Sequence, residues 1–360
     1  MVAQTHLFPY KWTLKDAVFT KDAGKVFSCF ACGGGSTMGY KLAGFDVIGC
    51  NEIDPKMMDA YIYNHNPKYS YLEPIQTFKN RTDLPKELYE LDILDGSPPC
   101  SSFSMAGNRE KDWGKEKVFR EGQSMQVLDT LFFDFIDLAK KLQPKIVVAE
   151  NVKGLLLGNA KSYVRQIYRE FDLAGYDVQH FLLDASKMGV PQRRERVFFI
   201  ALRKDLSEPF LKQVDMFTVA PKLNLKFNEK KITFNNIFHN YIDRPLSGVV
   251  LDIYNGVKEG ETDLRYSCQR ITNKQNFFGH KLTYMDSIPL TVLSDDNVIV
   301  YGHCRYRNFD ELCECGSYPK DYNFKGNKTD YLIGMSVPPV MTAQIANQIK
   351  IQWLKNINKK

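Results

Sequence analysis

Between Lys25 and Leu202, short apolar runs closed by polar turns alternate with stretches whose apolar residues recur at helical spacing. Such alternation predicts βαβ units. The strand-like runs are Val26 to Phe30, Asp46 to Cys50, Leu91 to Leu94, Ile146 to Ala149, Val178 to Leu183 and Val197 to Leu202. Leu128, Leu131, Phe132, Phe135, Leu138, Ala139 and Leu142 share one helical face, which suits a helix packed on a sheet. The expected class is α/β, an open sheet with helices against it.

After Arg203 the alternation is lost until about Tyr284, and the chain becomes irregular and rich in Lys, Asn, Phe and Tyr. The expected division is therefore 1–204, a smaller domain at 205–285, and a last segment, 286–360. In that segment Ala346, Ile349 and Trp353 share a face, so it ends in an amphipathic helix that returns to the first domain.

Length and composition agree with this division. A chain of 360 residues exceeds the usual size of one core, and its 44% hydrophobic content is ordinary for a globular protein. The N-terminus lacks a signal-peptide or transit pattern, and no apolar run reaches membrane-spanning length, so a cytoplasmic protein with no membrane contact is expected. The eight cysteines are scattered, without the framework of a small secreted scaffold, and reduced thiols are expected. A net charge of +6 permits a polyanionic partner without demanding one.

The segment Phe27 to Gly39, FSCFACGGGSTMG, runs from a strand into three glycines and then a helix opened by Ser36 and Thr37. Glycines let a ligand approach the backbone, and a helix N-terminus favours negative groups. After the second strand come Asn51, Glu52, Ile53 and Asp54, where an acid can accept hydrogen bonds from a ribose. Together they describe an adenosine site. The same arrangement serves NAD, and Met38 stands where the strict dinucleotide pattern needs its third glycine.

Asp92 to Ser104 reads DILDGSPPCSSFS, in which two prolines stiffen the backbone that presents Cys100 at the carboxyl edge of the sheet. Taken alone, such a cysteine is more often a small buried hydrophobe. Ile146 to Gly154, IVVAENVKG, places Glu150 and Asn151 at another strand end on the same edge. Gly189 to Leu202, GVPQRRERVFFIAL, alternates Arg194 and Arg196 so that both face one way.

Taken in order, FACGGG, NEID, GSPPCSSFS, ENVKG and QRRERVF resemble the DNA cytosine-5 methyltransferase family of the bacterial or phage modification type. Arg305, Glu311, Tyr318, Pro319 and GMSVPP from Gly334 to Pro339 resemble that family's last two blocks, and the resemblance spans about 25–203 and 286–355. It implies a Rossmann-like methyltransferase core with a target-recognition domain at 205–285. The implied cofactor is S-adenosylmethionine, leaving S-adenosylhomocysteine as product, with no metal. The implied cofactor contacts are Phe30, Cys32, Gly33, Gly34, Gly35, Glu52, Ile53, Pro98 and Ser336. In the implied chemistry the Cys100 thiolate adds to carbon 6 of cytosine while Glu150, holding a proton, hydrogen-bonds ring nitrogen 3. Carbon 5 then takes the methyl group, and loss of its proton expels Cys100. Arg194 and Arg196 contact the base carbonyl and neighbouring charge, and Asn151 orders the pocket.

The resemblance further implies duplex DNA with the target base extruded, approached by Ser101, Ser104, Gln192 and Arg305. Ser101 to Gln123 matches a loop that closes over DNA in this family, and Lys222, Lys226, Lys230, Lys231, Arg244, Arg265 and Arg270 are candidates for phosphates or base edges. A restriction endonuclease acting on the same site is a candidate partner, and a monomer is expected. Cys32 stands where the family usually has glycine, Pro74 near where an acid holds the adenine amino group, with Glu73 or a backbone group as a substitute, and Met335 where an Asn assists the methionine carboxylate. Rival readings are a tRNA cytosine methyltransferase, a DNA-binding relative with an idle core, and an NAD oxidoreductase, which leaves the later motifs unexplained. His303, Cys304, Cys313 and Cys315 could in principle hold zinc, but their spacing is not a paired thiolate arrangement.

Overall fold

The structure, a computed structural model, describes residues 6–99, 116–117, 126–127, 130–157, 161–213, 219–274 and 279–357. Its centre is a seven-stranded sheet. The strands are β1 (Lys25–Cys29), β2 (Asp46–Glu52), β3 (Tyr69–Leu72), β4 (Ile93–Gly96), β5 (Ile146–Val152), β6 (Tyr176–Asp184) and β7 (Glu195–Arg203). Their order is β3-β2-β1-β4-β5-β7-β6. Strands β1 to β5 pair in parallel, whereas β7 runs antiparallel to both β5 and β6. The chain winds outward from β1 through β2 to β3, then returns to β4 on the other side of β1. That reversal opens a crevice at the carboxyl ends of β1 and β4, the place where open α/β sheets bind ligands.

Each of the six apolar runs overlaps one of these strands, although Phe30 falls beyond β1 and Leu91 and Asp92 precede β4. The run pattern misses β3, whose Tyr-Ser-Tyr-Leu sequence belongs to an edge strand with half-exposed alternation rather than full burial.

One face of the sheet is covered by α3 (Leu131–Leu142) and α4 (Lys161–Leu173), following α1 (Gly35–Leu42) and α2 (Pro55–His65) in the chain. The face expected of α3 is buried from Leu131 to Leu142, and Leu128 lies outside the described residues. Phe132, Phe135, Ile167 and Phe171 pack there on Phe27, Leu94, Val147 and Phe199.

The opposite face is covered by α1 and the C-terminal helix. After α5 (Gly248–Tyr254), α6 (Arg265–Thr272), α7 (Phe309–Cys315) and α8 (Thr329–Met335), that helix is α9 (Pro339–Ile349). A π turn over Lys350–Leu354 continues it and buries Trp353, whose indole N–H donates to the Lys222 carbonyl at 2.9 Å. Contact between α1 and α9 requires Gly39, because a β-carbon there would stand 2.4 Å from the Pro339 carbonyl oxygen.

The separate small core comprises Leu246, Ile253, Tyr254, Leu264, Cys268, Leu282 and Ile299. It is built from α5, α6, and a sheet of β8 (Lys281–Thr283), β9 (Val298–Val300) and β10 (Arg305–Tyr306). The smaller unit is therefore offset from the 205–285 division. Leu223 and Leu225 join the core under α9, and Ile232, Phe234 and Ile237 pack with Leu312, Tyr318 and Leu332. Polar Lys and Asn residues between these side chains hide their buried apolar positions from a composition-based boundary.

No helix among the described residues is long and apolar enough to cross a membrane. Every cysteine among the described residues is a free thiol.

Candidate active site at the switch point of the sheet

The glycine turn after β1 is held from three directions. Phe30 and Cys32 take positive φ angles of 52° and 47°, and Gly34 takes 82°. The Gly33 carbonyl accepts from the Tyr322 hydroxyl at 2.6 Å and lies 3.3 Å from Nε2 of buried His65. A side chain at Gly34 would run into the His65 ring, and one at Gly35 would meet the Val337 carbonyl. Gly33 and Gly34 thus shape the turn, while Gly35 also lines a cavity.

Glu52, at the end of β2, closes this turn from the other side. One carboxylate oxygen accepts from the Cys32 N–H at 2.7 Å, and the other from the Ile53 and Asp54 N–H groups at 2.8 and 2.9 Å. Burial raises the Glu52 pKa against those three donors. A carboxylate offers about four acceptor positions, so one remains for a ligand hydroxyl. Burial also pushes the Cys32 thiol up to about 12, with Glu52 adding to the rise, so Cys32 is a packing thiol.

Beside Glu52 opens a cleft of about 620 Å³ lined by Phe30, Cys32, Ile53, Asp54, Met57, Ser97, Pro99, Tyr331 and Met335. Its largely apolar walls, with Glu52 and Asp54 as the acids among them, fit an adenosine. A second cavity of about 260 Å³ adjoins it, in which Ser28, Ser36, Asp95, Ser97 and Ser336 stand among apolar residues such as Ala31 and Val337. The Ser336 hydroxyl accepts from Tyr318 at 2.7 Å and donates to the Leu332 carbonyl.

The Pro-Pro segment leaves β4 along this cleft. Pro98 itself is buried, and its neighbours Ser97 and Pro99 form the wall. From the end of β5, Asn151 donates to the Pro98 carbonyl at 3.1 Å and accepts from the Val152 N–H at 2.8 Å. Next to it Glu150 pairs with Arg196 of β7, Nε to Oε1 at 2.9 Å, and both side chains are mostly buried. Cys100, Ser101, Ser104 and most of the Ser101–Gln123 loop lie outside the described residues. What is described is the backbone leading to Cys100, tethered between the cleft and the Glu150–Arg196 pair.

Residues 24–351 match the family model for C-5 cytosine-specific DNA methylases. The chain belongs to this family. It is 38% identical over 183 residues to the Type II methyltransferase M.FnuDI of Fusobacterium nucleatum, a match covering 51% of this chain and 48% of that protein. A longer match, 27% identical over 392 residues, covers 92% of this chain and 90% of the Type II methyltransferase M.DdeI of Desulfomicrobium norvegicum. In fold it resembles the crystal structure of Spodoptera frugiperda DNMT2, with a TM-score of 0.61 at 17% identity, covering 90% of this chain and 99% of that one. The α/β class read from the alternation is the class observed, and the family is one of S-adenosylmethionine-dependent methyltransferases.

Within this methylase several expected contacts are redirected. Arg194 and Arg196 diverge: Arg194 is buried and donates to the carbonyls of Val292, Gly334 and Ser336 at 3.2, 2.9 and 2.9 Å. Burial and then the Arg196 cation lower its pKa, which Glu150 and Tyr318 oppose. Its Nε has no partner among the described residues.

Gln192 and Arg305, expected at DNA, are both buried. Gln192 bonds the Cys315 carbonyl and the Val292 N–H, and Arg305 makes a two-point ion pair with Glu311 at 2.7 and 2.8 Å. They stitch the C-terminal segment to the core and have no surface to offer a duplex. Arg265 and Arg270 pair with Asp263 and Glu261, and Arg244 bonds the Asp296 carbonyl over the Tyr306 ring. Glu73 is held by Arg81 at 3.0 Å, away from the cleft lining. Cys313 and Cys315 are buried, with Cys315 accepting from Arg307, and no metal-binding group occurs among the described residues.

Sequence reading passed over Asp95, Tyr331 and Met57. Asp95 had a usable signal: an acid between Leu94 and Gly96 inside a fully buried strand.

Proposed function

We propose that the chain methylates carbon 5 of cytosine in duplex DNA, with S-adenosylmethionine as methyl donor and Cys100 as nucleophile. The reading is carried by the hydrogen bond from Asn151, the neighbour of Glu150, to the carbonyl of Pro98, two residues before Cys100 and next to Pro99 of the cleft wall. Phe30, Ile53 and Pro99 would enclose the donor's adenosine and Glu52 would take a ribose hydroxyl. The donor supplies an electrophilic methyl group on its sulfonium.

The residues of the chain supply the rest. Cytosine carbon 5 is too electron-poor to attack unaided, so the Cys100 thiolate adds to carbon 6 and drives electron density to carbon 5. Glu150, holding a proton, donates a hydrogen bond to ring nitrogen 3, and Arg196, beside Glu150, faces the base carbonyl. Arg194 holds the wall of the site through its three carbonyls. After methylation, loss of the carbon 5 proton restores the ring and expels the thiolate. Reaching the base requires its extrusion from the stack, at a cost of a few kcal/mol that protein contacts must offset.

Action in the cytoplasm beside DNA, as a monomer, follows from this reading. A restriction endonuclease sharing the site is its proposed partner, in keeping with the Type II names of the relatives.

The decisive experiment is tritiated methyl transfer to mixed-sequence duplex DNA, with the modified base identified by mass spectrometry. Wild type is expected to form 5-methylcytosine and Cys100→Ala none. Activity on tRNA with none on varied duplex DNA would overturn the substrate assignment.

A further inference from the structure

The second cavity lies behind the cleft. It shares Phe30, Cys32, Ser97 and Met335 with the larger cleft, so a ligand seated in the cleft can extend into it. Asp95 is the one carboxyl group lining it. The residue sits on β4 directly opposite Ser28 of β1, in the middle of the parallel sheet, and is only 4% exposed.

Its hydrogen bonds leave it half satisfied. Oδ2 accepts from the Ser28 hydroxyl at 2.9 Å and Oδ1 from the Tyr40 hydroxyl at 3.1 Å, two of about four acceptor positions. No described cation pairs with it, although a buried carboxylate without one is costly.

We propose that Asp95 receives the α-ammonium group of the methyl donor's amino-acid tail, a role that rests on the S-adenosylmethionine reading above. The tail is the only part of such a donor, apart from the sulfonium, that carries a positive charge. A ligand lying with adenosine at Glu52 and Ile53 directs the tail into the cavity that Asp95 lines. The ammonium supplies the cation and the two further donors that the isolated carboxyl lacks.

The pKa of Asp95 agrees with a carboxyl awaiting a cation. Burial lifts it to about 7, the Ser28 and Tyr40 hydroxyls lower it, and Glu150 on β5 adds to the rise. The other titratable groups that sense Asp95 are Cys29 on β1, Tyr40 on α1 and Tyr61 on α2, all raised by burial and so neutral near pH 7. Ammonium binding therefore draws a proton off Asp95 at acidic pH.

Calorimetry on the full chain without DNA tests this, using S-adenosylhomocysteine and 5′-methylthioadenosine, which keeps the adenosine thioether but lacks the amino-acid tail. For Asp95→Asn we expect S-adenosylhomocysteine to weaken about tenfold or more while methylthioadenosine changes less than about twofold, the discrimination typical of a buried charged acceptor. With wild type at pH 6, in buffers of differing ionisation enthalpy, S-adenosylhomocysteine should release close to one more proton than methylthioadenosine. That second measurement stands even if the variant folds poorly. Equal weakening of both ligands, no weakening of either, or no difference in proton release would overturn the assignment and leave Asp95 a structural link between β1, β4 and α1. Failure of wild type to bind either ligand would instead bring down the cofactor reading, and the inference with it.

Discussion

Asp95 and Glu150 occupy the ends of neighbouring strands and are both mostly buried, yet their surroundings differ in one respect. Glu150 has the Arg196 guanidinium at 2.9 Å, and Asp95 has only hydroxyl donors. The difference has a consequence for stability. The folded-state pKa of Asp95, about 7, lies above the value near 3.9 of an unfolded aspartate. Its favourable contribution is therefore complete below about pH 4 and is lost progressively as pH rises to about 7, amounting to roughly 4 kcal/mol across that window. Asp95→Asn carries no such linkage. In urea titrations without ligand, the variant is expected to gain on wild type as pH rises from 4 to 8, and a constant difference would disprove the linkage.

Glu150 and Arg196 make a second residue-scale prediction. Glu150→Gln keeps the shape but loses the carboxyl, so methyl transfer should fall by about 10²- to 10⁴-fold, the range for a lost proton-transfer group. Thermal unfolding should shift little by comparison, because the partner Arg196 keeps a route to solvent. Glu150 was legible as a strand-end group and Arg196 as one of two alternating arginines, but not their pairing. What was not legible was the parting of Arg194 from Arg196, since alternation reports the face of a strand and Arg194 lies just before β7 begins.

Among the elements, the contact of α1 with α9 joins the cofactor turn to the C-terminus. Gly39 permits it, and Gly39→Ala would set a methyl group 2.4 Å from the Pro339 carbonyl oxygen, where the backbone must shift. The expected cost is about 1–3 kcal/mol, the usual penalty for overpacking. It should appear as a lower denaturant midpoint together with weaker S-adenosylhomocysteine binding, because α1 begins at Gly35 in the turn itself. An unchanged midpoint would mean that the two helices are not clamped as described.

The strands buried on both faces were plain from their apolar runs, and α3 from its stripe. Edge strand β3 and the antiparallel setting of β7 were not, because pairing direction leaves no mark on the pattern of a buried strand.

Across the whole molecule, the segment ahead of β1 works as a strap. Trp12 is buried and donates to the Ser317 carbonyl at 2.9 Å, and the N–H groups of Leu14 and Lys15 reach Asp321. The match to the family model begins at residue 24, after this strap. Trp12→Ala should cost about 3–5 kcal/mol by loss of a large buried side chain, measured by chemical denaturation. A loss under about 1 kcal/mol would show that the strap only lies on the surface.

The chain's sequence by itself determined the α/β class, the glycine turn with Glu52, and the convergence of the Pro98, Glu150 and Asn151 strand ends. Each is written in neighbouring residues, as a run, a stripe or a spacing, because strand and helix burial repeat over a few positions. Only the tertiary structure decided the fate of the isolated polar groups. Arg194 finds its acceptors at Val292, Gly334 and Ser336, Gln192 at Cys315, and Asp95 its donors at Ser28 and Tyr40. A buried charge or amide must be satisfied by whatever the fold brings beside it, and those partners lie dozens of residues away, where no local pattern can announce them.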